Sequence, residues 1–347
     1  MIYSIFVIGG LENIARQELN SRFGETKDFK IILRKPRRIV FQFTGNPKDL
    51  LSIRSAEHLF LVIRHIPKIT RSRSSLASIR HSLNRFNFEE VMTICRQVGL
   101  RIKKRVQFRV ITRMAGFRNF QKRDLHQVVE RVLIERGWKL SDSNSGLDVW
   151  NEVYGDDAYI SIRLSTSDFA QRSRKQISLS DSIKPTLAYS MVRLSRPQPN
   201  DIFLDPMCGA GTILLERANS GRYRYLIGGD LSKSAIDATL NNFGRQHQPC
   251  QFFYWNVQSL PLQPNSIDKI VCNFPTDIQQ QELIKNCLDK FNYLIKPSGN
   301  IVLHTTHGVQ LKKMINQQNT MKLRQQVNVG DRESQGQIFV IHTKLHK

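Results

Sequence analysis

DIFLDPMCGAGTILLERA, residues 201–218, is a short apolar run, a loop with two glycines, and a second apolar run at helical spacing. A strand that ends in a glycine-bearing loop and opens a helix is the usual cradle for a nucleotide-type ligand. Two ligand classes compete for it. A dinucleotide site needs G-x-G-x-x-G, and here Gly209 and Gly211 are followed by Leu214 where the third glycine belongs. Asp205, at the strand end, is a poor neighbour for pyrophosphate and a good partner for an ammonium group. S-adenosylmethionine carries an amino group and a sulfonium and no phosphate. The loop therefore favours that cofactor, with Gly209 and Gly211 expected to leave room for it against the backbone.

Three more strand ends follow downstream. YLIGGD ends at Asp230, whose carboxylate can accept two ribose hydroxyls or else serve the next helix as a cap. QFFYWN ends at Asn256, which can hold an adenine amino group or be an ordinary loop residue. IDKIVC runs into VCNFPTD, residues 271–277, where Asn273 and Pro275 form an Asn-x-Pro sequence that suits a turn or a site. An Asn carboxamide oxygen and a nearby backbone carbonyl can accept both hydrogens of an exocyclic amine. That aims the nitrogen lone pair at a methyl donor, which is catalysis by orientation and electrostatics.

Strands alternate with helices from about 201 to 305, and this spacing predicts a parallel doubly wound sheet. The strand IDKIVC is its fourth, beside the first if the winding reverses there, where such sheets bind ligands. MKLRQQVNVG and GQIFVIHTKLH have no helix between them and predict an antiparallel end.

The front of the chain reads differently. IYSIFVI, FKIILRK, RRIVFQF and EHLFLVIRHI predict strands, with GLENIARQELNSRF as a helix and Asn46-Pro47 opening another. From about 70 the pattern restarts with two helices, the strand RVQFRVIT, the amphipathic QKRDLHQVVERVLIERG ending at Gly137, and a hairpin turning at Gly155-Asp156-Asp157. Residues 166–184 are polar and Ser-rich and predict a linker.

The 347 residues carry Lys+Arg 52 against Asp+Glu 29, a net charge of +23, which calls for a polyanionic partner. Residues 1–180 hold 33 basic and 17 acidic side chains, and 181–347 hold 19 and 12. The front half is the expected docking surface. MAGFRNFQKRD (114–124) interleaves Phe117 and Phe120 with Arg118, Lys122 and Arg123, a mixture suited to unpaired bases and phosphates. RKPRR (34–38), RSR (71–73) and RIKKR (101–105), the last with Lys103 and Lys104, add charge. No apolar run approaches the ~18–20 residues that cross a bilayer. Five scattered cysteines, none in C-x-x-C, predict a reduced, metal-free, cytoplasmic protein, and the start MIYSIFVIGGLE predicts a first strand rather than a signal peptide.

DPMCGAGT, the GGD strand and the Asn-x-Pro strand end together resemble class I S-adenosylmethionine-dependent RNA methyltransferases. The stretch AQRSRKQISLSDSIKPTLAYSMVRLSRPQPNDIFLDPMCGAGTILLERA, with GLENIARQEL near the start, is similar to the THUMP-domain group that includes tRNA guanosine-6 N2-methyltransferases. The resemblance implies an α/β Rossmann-like methyltransferase domain with a mixed seven-stranded sheet at 184–347. It implies a ferredoxin-like domain at 1–66, a THUMP domain at 67–165 and a linker at 166–183 before it. It places Asp205, Gly209 and Gly211 at the methionine part of the cofactor, Asp230 at the ribose and Asn256 at the adenine, where relatives usually have Asp, with Pro206, Met207, Cys208, Thr212, Leu231 and Val257 also cofactor-binding. Asn273, Phe274 and Pro275 take the target-amine positions. Thr276 stands where the family has an aromatic that stacks on the base, and Asp277 where it often has Gly. The implied reaction is methyl transfer to an exocyclic amine, guanine N2 in the position-6 region of tRNA first among them. The implied enzyme is a monomer bound to tRNA or another structured RNA, without membrane or metal, and compatible with an activating subunit. An RNA-binding protein with a degenerate methyltransferase domain and a nicotinamide-dependent oxidoreductase are the alternatives.

Overall fold

The computed structural model describes all residues except 142–145, 172–174, 181, 245, 276–280, 331–334 and 344–347, and the side chains of 167 and 281. The chain divides into two compact units. The first comprises Met1–Phe6 and Leu19–Phe169, and the second Val7–Glu18 and Ala170–Lys347.

The first unit is built on one sheet. Its strands are β1 (Ile2–Val7), β2 (Phe29–Lys35), β3 (Arg38–Phe43), β4 (Ala56–Ile66), β5 (Gln107–Met114), β6 (Lys139–Leu140), β7 (Leu147–Tyr154) and β8 (Asp157–Arg163). They lie in the order β2-β3-β1-β4-β8-β7-β5-β6, so strands from either side of residue 67 share hydrogen bonds in a single eight-stranded sheet. Helices α1 (Glu12–Phe23), α2 (Ser74–Asn84), α3 (Glu89–Gln97) and α4 (Lys122–Glu135) complete the stretch, α1 being divided between the units. Asn46 and Pro47 do open a helical turn, but it is the short 3-10 segment Pro47–Ser52, with the Asn46 side chain accepting from Lys48 N–H. Central strand β7 is buried along nearly its whole length, and its Glu152 pairs with the equally buried Arg38 of β3. Arg38 belongs to the RKPRR run, so one of those cations is a core group, stacked on Phe6 at 4.4 Å and Tyr159 at 4.7 Å.

The second unit is built on the mixed seven-stranded sheet that the resemblance implied, its parallel part predicted by the alternation and its antiparallel end by the last two runs. Its elements after α5 (Pro185–Leu194) are β9 (Ile202–Asp205), α6 (Thr212–Ala218), β10 (Tyr225–Asp230), α7 (Lys233–Phe243), β11 (Cys250–Tyr254), β12 (Ile267–Asn273), α8 (Gln281–Leu294), β13 (Ile295–Thr305), α9 (Gly308–Gln317), β14 (Met321–Gly330) and β15 (Gln335–Thr343). The order is β11-β10-β9-β12-β13-β15-β14, parallel from β11 to β13, with β15 antiparallel to both β13 and β14. Winding reverses between β9 and β12, so the fourth strand does lie beside the first. Successive strand residues face opposite layers. Leu204, Ile270, Cys272, Ile301 and Leu303 pack with α8 and α9, while Phe203, Val271 and Val302 pack with Met191, Leu214 and Ile236. Helices α5 and α9 have no counterpart in the sequence reading. The first is announced only by Lys184-Pro185, a Pro at the first helical turn.

Ile8, Leu11 and Ile14 join that second layer together with Val329, Ile338 and Val340. Gly330 N–H donates to the Gly9 carbonyl at 3.2 Å. Gly10 sits at φ +88°, and a Cβ there would lie 1.8 Å from the Asn328 carbonyl oxygen. Only glycine admits this approach.

Candidate active site

The register of the second unit brings three strand ends level. Asp205 pairs with Gly228, two residues before Asp230, and Leu204 pairs with Ile270, three before Asn273. A cavity of about 610 Å³ opens at this carboxyl edge, at the reversal of the winding. Asp205, Pro206, Met207, Cys208, Gly209, Thr212, Asp230, Leu231, Asn256, Val257, Asn273 and Pro275 all line it.

Asp205 is 1% exposed. Its Oδ1 accepts weakly from Met207 N–H at 3.4 Å, and its Oδ2 has no hydrogen-bond partner among the described residues. Burial holds this carboxyl well above the usual carboxylate range, and the neighbouring Asp230 adds to the effect. A buried acceptor without a donor, on a residue that lines a cavity, can take a cationic hydrogen-bond donor. Asp230 is organised differently. Its Oδ2 accepts from Gly209 N–H and its Oδ1 from Ser232 N–H, each at 2.9 Å, which leaves one outward lone pair on each oxygen. The helix cap of α7 is Ser232, not Asp230.

The two loop glycines do different things. Gly209, at φ +53°, has open space where a side chain would stand. Gly211 does not line the cavity. At φ +78°, its missing Cβ lies 3.0 Å from Thr239 Cγ2 and 3.3 Å from the Phe243 ring, so this glycine lets the loop close on α7. Asn256 lines the cavity and also has a local role, because its carboxamide oxygen accepts from Gln258 N–H at 3.0 Å and caps the turn Val257–Ser259. One lone pair remains for a ligand.

Trp255, next to it, was not singled out from sequence. Its ring lines the cavity, stacks on Phe253 at 5.1 Å, and donates from Nε1 to the Pro206 carbonyl at 3.2 Å. The indole lies across β10 where a Cβ on Gly229 would be 1.9 Å away. Gly229→Ala is expected to push the indole out of place and to destabilise the protein by about 1–3 kcal/mol, the usual range for overpacking. Chemical denaturation with Trp fluorescence checks it, and unchanged stability and emission would show that the ring yields freely. Leu179, Ser180, Ser182 and Ile183, from the stretch read as linker, are a second missed wall.

Asn273 closes β12 and lines the cavity, its Oδ1 2.6 Å from His304 Nδ1. Pro275 is exposed at the rim. Phe274 is not part of the site. It is 2% exposed and packs into the core against Phe291, because the residue after Asn273 turns to the opposite face. Thr276 and Asp277 lie outside the described residues. All five cysteines are free thiols. Cys208, the one at the cavity, is held well above its ordinary pKa by burial. Among the described residues no group of three or more His, Cys, Asp or Glu is arranged to hold a metal, and no helix is long and apolar enough to cross a membrane.

In the first unit the aromatic–basic run separates into anchors and exposed groups. Phe120 is 4% exposed and belongs to the core, whereas Phe117 is 77% exposed. Arg118 donates to the Thr70 carbonyl at 3.0 Å and to the Gly155 carbonyl, and Asn119 N–H donates to the Arg71 carbonyl at 2.9 Å. Arg118 is thus a fastener of its own loop. Lys122 and Arg123 are exposed in the first turn of α4, and Lys103 and Lys104 are exposed, Lys103 donating to Gln107 at 2.9 Å.

Residues 172–335 match the family described as RMKL-like, methyltransferase domain. The chain is 28% identical over 188 residues to a tRNA (guanine(6)-N(2))-methyltransferase, THUMP3, of Bos taurus, a match covering 48% of this chain and 37% of that protein. The match thus spans under two fifths of that relative's length. A tRNA (guanine(6)-N2)-methyltransferase of Thermus thermophilus is 24% identical over 322 residues, 88% of this chain and 89% of the relative. The crystal structure of TrmN from Thermus thermophilus superposes with a TM-score of 0.85 at 21% identity over 99% of both chains, which establishes the fold.

Proposed function

We propose that this chain, whose residues 172–335 match the RMKL-like methyltransferase family, transfers a methyl group from S-adenosylmethionine to an exocyclic amine of RNA, with guanine N2 as the acceptor. The observation that carries the reading is one cavity lined by both Asp205, whose buried Oδ2 has no hydrogen-bond partner among the described residues, and Asn273. The residues fit the cofactor. Asp205 offers its buried oxygen to the ammonium group, Gly209 admits the ligand against the backbone, and Asp230 turns its two free lone pairs to the ribose hydroxyls. Leu231, Trp255 and Val257 supply apolar surface for the adenine, with Asn256 at its edge. When bound, the cofactor supplies an electrophilic methyl on a sulfonium.

Everything else falls to the chain. Asn273 Oδ1 and the Pro275 carbonyl accept the two hydrogens of the acceptor amine and turn its lone pair inward. Direct displacement needs no enzyme nucleophile, which agrees with the suppressed thiol of Cys208. The relatives named for guanine N2 in tRNA support that amine as the acceptor and tRNA as the substrate, and the basic first unit, read as ferredoxin-like and THUMP modules, is its handle.

Incubation with total RNA and methyl-labelled cofactor, followed by nucleoside mass spectrometry, tests the proposal. Label in N2-methylguanosine is the expected result. Cofactor binding without label in any nucleoside would instead mean a degenerate enzyme, and binding of NAD alone an oxidoreductase. The handle has its own test. Phe117→Ala is expected to weaken RNA binding by about 1–3 kcal/mol, the value of one base stacked on an aromatic ring. Phe120→Leu, in the core, should leave affinity nearly unchanged in a folded protein. Filter binding at fixed salt reads both, and equal affinity of Phe117→Ala and the parent removes Phe117 from the interface.

A further inference from the structure

We propose that His304 is a positioning residue for the acceptor amine, fixing the Asn273 carboxamide by donating from Nδ1–H to Oδ1. The inference rests on the methyl-transfer reading above and adds a residue to it. His304 does not line the cavity and acts only through Asn273.

The two residues are direct neighbours in the parallel register of β12 and β13. Phe274 N–H donates to the His304 carbonyl at 2.9 Å, so the backbones themselves set the ring beside the carboxamide. Nδ1 and Oδ1 are 2.6 Å apart. Burial pushes the imidazole pKa down to about 4, so near neutral pH the ring carries a single N–H. An amide oxygen only accepts, so that hydrogen sits on Nδ1. The other side of the ring is fixed as well. Its Nε2 lies 2.3 Å from where a Cβ on Gly336 would stand, so a residue with a side chain at 336 would displace the ring.

The consequence concerns which end of the carboxamide meets the substrate. An Asn amide turned over by half a revolution presents N–H to the acceptor amine, and two donors facing each other repel. The Nδ1–H bond commits one lone pair of Oδ1 and leaves the second for an amine hydrogen. Without His304 both orientations are open, and the productive one is diluted.

Two measurements test the role. Nitrogen-15 NMR of the histidine-labelled protein is expected to show the His304 ring with Nδ1 protonated and Nε2 bare at neutral pH. The opposite tautomer overturns the proposal. This measurement uses no substrate, so it stands even should the methyl-transfer reading fail. The second is kinetic. His304→Leu is expected to lower kcat by roughly 10- to 100-fold, the scale of a misplaced reacting group, with KM for RNA and cofactor affinity little changed. His304→Asn, whose amide nitrogen can occupy the Nδ1 position, is expected to recover much of the loss. Parent-like kcat in His304→Leu, or equal losses in both variants, overturns the proposal. Should His304→Leu fail to fold, His304→Ala replaces it in the same comparison.

Discussion

Asn273→Ala is expected to lower kcat for the proposed methyl transfer by roughly 10²- to 10³-fold, the scale of removing one preorganised polar group from a reacting centre. Cofactor affinity is expected to stay close to that of the parent, because Asp205 and Asp230, the proposed seats for the ammonium and ribose groups, are on β9 and β10, not β12. The loss should fall in kcat rather than KM, since the proposed role of the carboxamide is to aim a lone pair that the bound substrate already possesses. Asn273→Asp separates orientation from packing. It keeps an oxygen that can accept from His304 Nδ1–H and from the amine, so it retains more activity than Asn273→Ala. Single-turnover kinetics with saturating RNA measures both variants. Parent-like turnover in Asn273→Ala would falsify the catalytic assignment.

The Asp205→Asn variant is expected to bind the cofactor more weakly by about 2–5 kcal/mol, roughly 30-fold to several thousand-fold, the cost of leaving a buried charge without its partner. The same change should stabilise the ligand-free protein. Burial raises the folded-state pKa of Asp205 above its unfolded value, so the folded protein favours the protonated acid. Its contribution to stability is therefore fully present below the ordinary carboxylate pKa of about 3.9 and is lost as pH rises through the raised value. A carboxamide in the same position does not ionise and suffers no such loss. Thermal melts of ligand-free Asp205→Asn should therefore exceed the parent increasingly as pH rises from about 3.9 to the raised value, and by a constant margin above it. Calorimetric titration and melts across pH check the two halves. Unchanged cofactor affinity, or a melting difference indifferent to pH, contradicts the role of this buried oxygen.

Much of this site was legible because its chemistry is carried by strand ends. Asp205, Asp230 and Asn273 each follow an apolar run, and the alternation of runs and helices foretells that such ends share one edge of a sheet. What was not legible depends on pairs distant in sequence. His304 becomes relevant only once β13 is known to lie beside β12 in the register that matches it to Asn273. Trp255 needs Gly229 beneath it, and neither residue announces the other. Gly209 and Gly211 look alike in the motif, yet one borders open space and the other receives Thr239 and Phe243. Phe117 and Phe120 sit three residues apart among the same cations, and spacing alone does not say which of them the core takes. Helices α5 and α9 flank the strand–helix alternation, one before residue 201 and one after β13, so that alternation does not announce them.

Residues 7–18 belong to the layer formed with Val329, Ile338 and Val340, so the second unit is assembled from two distant stretches of the gene product. During synthesis the early stretch leaves the ribosome long before its partners exist, and its apolar residues must wait for the far end of the chain. A truncation starting near residue 170 would deliver the whole cavity but uncover the apolar surface that Ile8, Leu11 and Ile14 conceal. Protein engineers seeking the isolated catalytic portion would do better to append that short peptide than to cut at the boundary the linear sequence suggests.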